Sequence, residues 1–469
     1  MITLEKEFTA PRTSSADLLA YFKDQVQTNV DEGDVPIRFA VTATTDDEYH
    51  YEVGLLTGQK DSRFQSGPSI FESTKRQIEN TKQFNVVLTI PTGIGAELGG
   101  HDGDAGSLAK LIAANCDQLI THPNVVNASD INELPENGLY VEGSVLSRFM
   151  LGSIGLQPVR SNRVLVVVDA HPDQAFVNAA INAVSAARAS YGLDCPQVVQ
   201  MDPPIELTAQ YSESGRAVGR IDGFKALTDI LDKYQGDYDA VALASVIYVP
   251  YSYHTDYFDQ KGEMVNPWGG VEAMLTHTIS EFYNIPSAHA PMFENQQIAN
   301  MDPGVVDPRM AAEAISLTFL QSVLKGLQRS PRIVTDPGAM KHHSVLSAAD
   351  ISCLVIPDGV LGLPTLAALE QGIPVIAVKE NKNLMRNDLT ALPWALGQLH
   401  IVDNYWEAMG VLSALTAGIS PESVRRPLSD TKVIGKKMSV SVDLDENLDE
   451  FSGDDSTRLT AKEEKSSSQ

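Results

Sequence analysis

The residues best suited to chemistry follow the apolar run at 86–90: Gly93, Gly95, Gly99 and Gly100 alternate with His101, Asp102 and Asp104. Glycines let a ligand approach the backbone and expose its N–H groups, and a helix expected from Ser107 would aim its positive end at the same place. The spacing matches neither standard phosphate loop. Gly93-Ile-Gly95 lacks the third glycine of the dinucleotide fingerprint, and no Lys-Ser/Thr pair follows. An anion cradle, acid–base or metal chemistry by His101, Asp102 and Asp104, and a tight structural turn are the readings of this loop.

Ligands of parallel α/β sheets gather beyond the carboxyl ends of strands, where several further polar residues stand. His122 and Asn124 follow one strand and Glu142 the next; either His122 or Glu142 could transfer a proton, and helix capping is the bland alternative. Asp169, His171 and Asp173 alternate after the run at 164–169, a donor set suited to one divalent metal, the only cofactor the sequence brings into view. Arg216 and Arg220 could clamp a phosphate or carboxylate, or form surface ion pairs. Asn266 and Trp268 open a helix carrying Glu272 and His277, and His289 follows a short segment at 286–287. Near the C-terminus, a glycine turn opens a helix with Gly362, Thr365 and Glu370, and a buried run ends at Glu380, Asn381, Asn383 and Arg386.

The elements that must position these groups alternate. Buried strands are expected at 86–90, 118–121, 138–141, 164–169, 198–201 and 240–244, with helices at 174–191, 223–234, 271–283 and 308–326. The expected fold is α/β, with mainly parallel, Rossmann-like sheet or sheets covered by helices on both faces. Residues 1–82 read as a small N-terminal α+β domain without recognisable chemistry, with a helix near 15–30 and strands near 37–42 and 49–56. Residues 83–330 form the main α/β domain, 331–427 a second Rossmann-like unit that is either a separate lobe or the far half of one sheet, and 428–469 a disordered acidic tail.

Length and charge bound the function. A chain of 469 residues exceeds one usual core, and its net charge of −26 argues against nucleic acid and anionic membrane as partners. No apolar run is long enough to span a bilayer, and residues 1–7 do not resemble a signal or transit peptide, so a cytoplasmic location is expected. Cys116, Cys195 and Cys353 are few and scattered, as for buried reduced thiols. The expected partner is a small anionic ligand, with a homo-oligomer left open.

Three resemblances add to this reading. Asp169-Ala-His171-Pro-Asp173 resembles the Asp-Ala-His-x-Asp segment of arginase-like ureohydrolases, which implies manganese; Gly99-Gly100-His101-Asp102 only approximates that family's second segment, and its third is absent. The stretch around Gly362, Thr365 and Glu370 with Gly372-Ile-Pro-Val-Ile is similar to the donor half of two-lobed glycosyltransferases, which implies that these three residues face a nucleotide. Motifs in order, from Ile90-Pro-Thr-Gly93 through Thr121-His122-Pro-Asn124, Gly215-Arg216 and Asn266-Pro-Trp268 to Val378-Lys-Glu380-Asn381, resemble the uncharacterised family called domain of unknown function 3326, across about 84–427. The leading expectation is an enzyme acting on an anionic or nucleotide-type small molecule in a cleft between two α/β units, glycosyltransferase-like transfer being its most concrete version. A metal-dependent hydrolase centred on Asp169, His171 and Asp173 and a non-catalytic ligand-binding protein are the alternatives.

Overall fold

Short Val/Ile/Leu runs buried on both faces make the strands Asn85–Leu88, Gln118–Thr121 and Gly138–Tyr140. The computed structural model describes residues 1–58, 64, 67–260 and 262–435. In it these strands share a six-stranded sheet with Cys353–Pro357, Val375–Val378 and Leu399–Val402. Every neighbouring pair is parallel. Cys353 pairs with Val86, so strands of the C-terminal stretch share the sheet begun at Asn85. Numbered along the chain, the strand order is 3-2-1-4-5-6.

Between the third and fourth of these strands the chain builds most of a ten-stranded sheet. Its parallel part holds Val198–Met201, Val164–Asp169, Ala240–Tyr248 and Ser287–Met292. The hairpin Glu206–Tyr211 with Ala217–Asp222 continues it, and Thr3 pairs with Ile221 to bring in Ile2–Pro11, Glu48–Thr57 and Val35–Thr44. The N-terminal segment is thus hydrogen-bonded into a large sheet. Its helix Leu18–Asn29 buries Leu18, Leu19, Phe22 and Val26, spaced for one face.

The helix Gly269–Tyr283 packs against both Ala217–Asp222 and Gly143–Met150, the helix that follows the third strand of the six-stranded sheet. Close approach explains two glycines. Gly93 O accepts from Ala217 N at 2.9 Å, and a Cβ on Gly270 would stand 2.0 Å from Ala217 O. The backbone at Ala217 is held between the glycine loop of one sheet and the start of that helix.

One expected element is broken. The helix read over 308–326 is a 3-10 turn Pro308–Met310, a short helix Ala311–Ile315 and a separate helix Leu320–Arg329. Ser316 is extended and Phe319 left-handed (φ 54°), because Ser316, Thr318 and the Gln321 N–H all turn to hydrogen-bond Asp130. The sequence also gave no sign of the strands Ile2–Pro11, Glu206–Tyr211, Ala217–Asp222 and Ser287–Met292.

Residues Met1–Pro421 make one compact unit. A second unit starts at Glu422, and its described residues, to Gly435, hold no strand. The acidic run expected beyond Asp443, and most of the polar connection near 59–68, lie outside the described residues. Among the described residues, no helix is long and apolar enough to cross a membrane.

Candidate functional site

Strand ends from both sheets border one cavity of about 380 Å³. Thr89 to Ile94, except Ile90, follow the first strand of the six-stranded sheet, and His122, Glu142 and Val360 to Thr365 follow three others. Met292, Phe293 and Glu294 come from the end of Ser287–Met292. The helix Gly269–Tyr283 contributes a single stripe, Gly269, Glu272, Ala273, Thr276, His277 and Glu281, at helical spacing.

The best-organised group on this wall is Glu142 with His277. Glu142 ends its strand as N-cap of Gly143–Met150: Oε2 accepts from Ser144 N (2.9 Å), Val145 N (3.2 Å) and Ser144 Oγ (2.5 Å). Its Oε1 lies 2.5 Å from His277 Nδ1 and accepts from Thr276 Oγ1 at 3.2 Å. Burial opposes the charge on Glu142, but the neighbouring His277 and these donors outweigh it and hold the carboxyl below its ordinary range. Glycine at 143 admits the ring, since a Cβ there would stand 2.9 Å from His277 Cε1. The carboxylate engages Nδ1 and leaves Nε2, which forms no hydrogen bond among the described residues, on a side chain lining the cavity.

His122 lines the cavity but its Nε2 is engaged, accepting from Ile90 N at 3.1 Å. Burial pushes its pKa down to about 4, so it stays neutral and positions the turn after the first strand. His101 is 2 % exposed, lies outside the cavity wall, and sets Nδ1 3.1 Å from Tyr257 Oη; burial, then Arg309, lowers its pKa. Asp104 closes the loop by accepting from Gly99 N at 2.6 Å, and burial raises it to about 6. Asn124 bridges the same loop to Ile90 O and Gly99 O, both at 2.8 Å. Gly93, Gly100 and Asp102 reach the cavity, whereas Gly95 and Gly99 turn the chain behind its wall.

The expected arginine pair is split. Arg216 is 1 % exposed and lines the cavity, its Nη1 bound to Glu52; Arg220 is exposed and paired with Asp222. Two further buried guanidiniums line the cavity: Arg148, which lies 3.6 Å from Glu281, and Arg38, from the N-terminal strand Val35–Thr44, which donates to Thr92 O (3.2 Å) and Gly270 O (3.4 Å) and lies 3.5 Å from Glu5. The Nε of Arg216 has no hydrogen-bond partner.

Asn266 Oδ1 accepts from Trp268 N and Gly269 N in the turn leading into Gly269–Tyr283, and its amide donates to Glu313 at 3.0 Å. His289 lies between Glu272 (Nδ1, 2.8 Å) and Ser245 (Nε2, 2.9 Å). This has the order of a Ser-His-carboxylate relay, but Ser245 is fully buried and absent from the cavity wall, so its hydroxyl anchors the ring instead of meeting a substrate.

On the C-terminal side, Gly362 and Thr365 line the cavity, Thr365 Oγ1 donating to Val360 O. Glu370 does not reach it and lies 3.5 Å from Lys75; Glu380 and Arg386 are exposed. Asn381 bonds both backbone groups of Leu98, and Asn383 bonds Asp358 O and Asn381 O, so both fasten loops.

The Asp169, His171 and Asp173 cluster is engaged locally. Asp169 accepts from Ala170 N and Ile205 N, and burial raises it to about 7; Asp173 caps Gln174–Tyr191. His171 has Nδ1 accepting from Asp173 N and Nε2 3.0 Å from Phe293 O. Among the described residues no three His, Cys, Asp or Glu side chains are placed to hold a metal.

A six-stranded parallel sheet and a ten-stranded mixed sheet border the cavity of this α/β protein. The chain belongs to the family described as Protein of unknown function (DUF3326), matched over residues 85–425. It is similar to an uncharacterised lipoprotein of Synechococcus sp., 32% identical over 354 residues, covering 72% of this chain and 92% of that protein. No solved structure matches it.

Proposed function

We infer that the protein is an enzyme performing acid–base chemistry on a small molecule with an anionic group, held in the cavity between the two sheets. The observation that carries this reading is the Glu142–His277 pair, with a free imidazole nitrogen at the cavity. The six-stranded sheet supports it. Its order is that of Rossmann-like doubly wound sheets, whose ligands bind where the order reverses, here between Asn85–Leu88 and Cys353–Pro357. Residues after both strands line the cavity, and the buried Arg38 and Arg216 face the same space.

Size and charge narrow the ligand. A volume of about 380 Å³ is at the lower end of small-molecule pockets, suiting a metabolite better than a dinucleotide. Arg38, Arg148 and Arg216 share the wall with six carboxyl side chains, so a ligand with one anionic group fits better than a polyanion. Transfer from a nucleotide sugar is the weaker version, because Glu370 lies off the cavity. The test is a thermal-shift panel of phosphorylated and carboxylated metabolites on the full chain and on Ala273→Trp, which plugs the cavity. Stabilisation of wild type only supports the reading; no response, or an equal response in both, counts against it.

A cytosolic location is the expectation this reading keeps from the sequence. The lipoprotein name of the Synechococcus relative favours a membrane-attached form instead. Cell fractionation separates the two.

A further inference from the structure

One part of the cavity wall is apolar. From the segments 292–303 and 313–323 it takes Phe293, Ile298, Met301, Ile315, Leu317 and Phe319. Phe293 and Phe319 tie the two segments together by an edge-to-face contact, with ring centroids 5.4 Å apart. The polar residues that line the cavity from the same segments each hydrogen-bond elsewhere in the chain. Glu294 accepts from Val249 N at 3.2 Å and lies 3.2 Å from His254 Nε2, Glu313 accepts from Asn266, Ser316 donates to Asp130, and Ser322 donates to Ser129 O.

Ile315 and Leu317 carry the argument furthest. Ser316 between them is extended and turns its hydroxyl to Asp130, which Thr318 also reaches at 3.0 Å, so the side chains on either side of Ser316 alternate outward. They are 79 % and 67 % exposed, and both line the cavity. One exposed apolar residue needs no explanation; two of them on a wall shared with Phe293, Ile298, Met301 and Phe319 make an apolar surface of the kind that marks a ligand contact. Charge sets the ligand's direction. Neither segment supplies a basic lining residue and both supply a carboxyl, Glu294 and Glu313, whereas Arg38, Arg148 and Arg216 line the cavity from other elements.

We propose that this wall receives an aliphatic chain of the cavity's ligand, whose anionic group lies toward the arginines, so that the substrate class is an anion with an alkyl or acyl tail. The inference rests on the cavity being the ligand site and adds what the ligand carries besides its charge.

The test is calorimetry on the full chain, below micelle-forming concentrations, with butyrate, hexanoate and octanoate and with butyl, hexyl and octyl phosphate. In one series or both, each lengthening by two carbons is expected to tighten binding about tenfold, the worth of burying two methylenes. In the Ile315→Ser/Leu317→Ser double variant, which changes only exposed side chains, the octyl-length probe should lose about tenfold while the butyl-length probe binds as before. Val305→Ser, at a fully exposed position off the cavity wall, should keep the wild-type steps. Steps below about twofold in both series, unchanged steps in the double variant, or the same loss in Val305→Ser would overturn the inference and leave the cavity reading standing. No binding by any probe, or octyl-length binding undiminished in Ala273→Trp, would overturn both.

Discussion

His277 Nδ1 lies 2.5 Å from Glu142 Oε1, joining residues 135 positions apart across the contact between two helices. Both oxygens of the carboxylate are occupied by donors, so the imidazole it holds has a fixed orientation. Replacing Glu142 by Gln keeps the shape but removes the charge that capped the helix and held the ring. Turnover should fall about 10²–10⁴-fold, the usual worth of a general base. Folding stability should fall by about 1 kcal/mol, the usual worth of a cap. Denaturant unfolding beside activity checks both; retained activity with lost stability would reduce the pair to a structural cap.

The two carboxyls at Asp102 and Glu313 set a pH slope. Burial first, then mutual repulsion, raises Asp102 well above its usual range, and burial takes Glu313 to about 8. A carboxyl raised in the folded state binds its proton more tightly than in the unfolded chain. Its contribution is therefore complete below the unfolded value near 4.5 and is lost as pH rises through about 8. His122, lowered to about 4, acts with the opposite sign, its contribution being present above 6.5 and lost as pH falls through 4, so the range above pH 6.5 is free of that histidine, and the Glu313 variant separates its carboxyl from Asp169. Unfolding free energy should decline from pH 6.5 to 8.5, and Glu313→Gln should flatten that decline. An unchanged slope in the variant would contradict it.

Asp169 offers a test of the metal reading. Its Oδ1 accepts two backbone N–H bonds, a role an amide oxygen can keep, while burial lifts the acid to about 7. By the same sign, the acid's contribution is complete below about 4 and lost through pH 7. Asp169→Asn should equal wild type near pH 5 and exceed it near pH 8. Manganese or zinc should raise the melting temperature of neither protein. A metal-dependent rise in wild type that disappears in the variant would restore the metal site.

Much of the fold was legible because its strands are continuous Val/Ile/Leu runs: 118–121, 164–169 and 198–201 stand as read, as does the helix Gln174–Tyr191. The strand Ile2–Pro11 was not, since the charged run Glu5-Lys6-Glu7 interrupts its apolar residues and it owes its place to pairing along Glu48–Thr57. The loop from Gly93 and the strand-end Glu142 were visible as site candidates; Arg38 was not, because nothing in 35–44 marks a guanidinium that folds beneath a loop more than 50 residues away. His277 could have been found. Glu272, Thr276, His277 and Glu281 put polar groups at helical spacing along one face of the helix, and such a stripe needs partners to face. The pairing of that stripe with Glu142 depends on tertiary packing and leaves no local trace.

Gly270 tests how the two sheets are locked. In a free helix Gly→Ala would gain about 1 kcal/mol. Here the added Cβ would meet Ala217 O at 2.0 Å, and backbone cannot move aside as a side chain can. Gly270→Ala should therefore destabilise by about 1–3 kcal/mol, the range for overpacking. Gly372→Ala, which meets nothing within 4 Å but sits at φ 65°, serves as a control for strain without a clash. A stabilised Gly270→Ala protein would show that the helix start does not bear on Ala217.

The central claim is that the cavity is a site of turnover driven by Glu142 and His277. Its most direct measurement is untargeted metabolite profiling of a small-molecule extract incubated with purified wild-type protein and with His277→Asn, each verified as folded. The account predicts that wild type consumes at least one small anionic compound, with matching product, and that His277→Asn leaves it intact. Equal consumption by both proteins, or none by wild type, would contradict it.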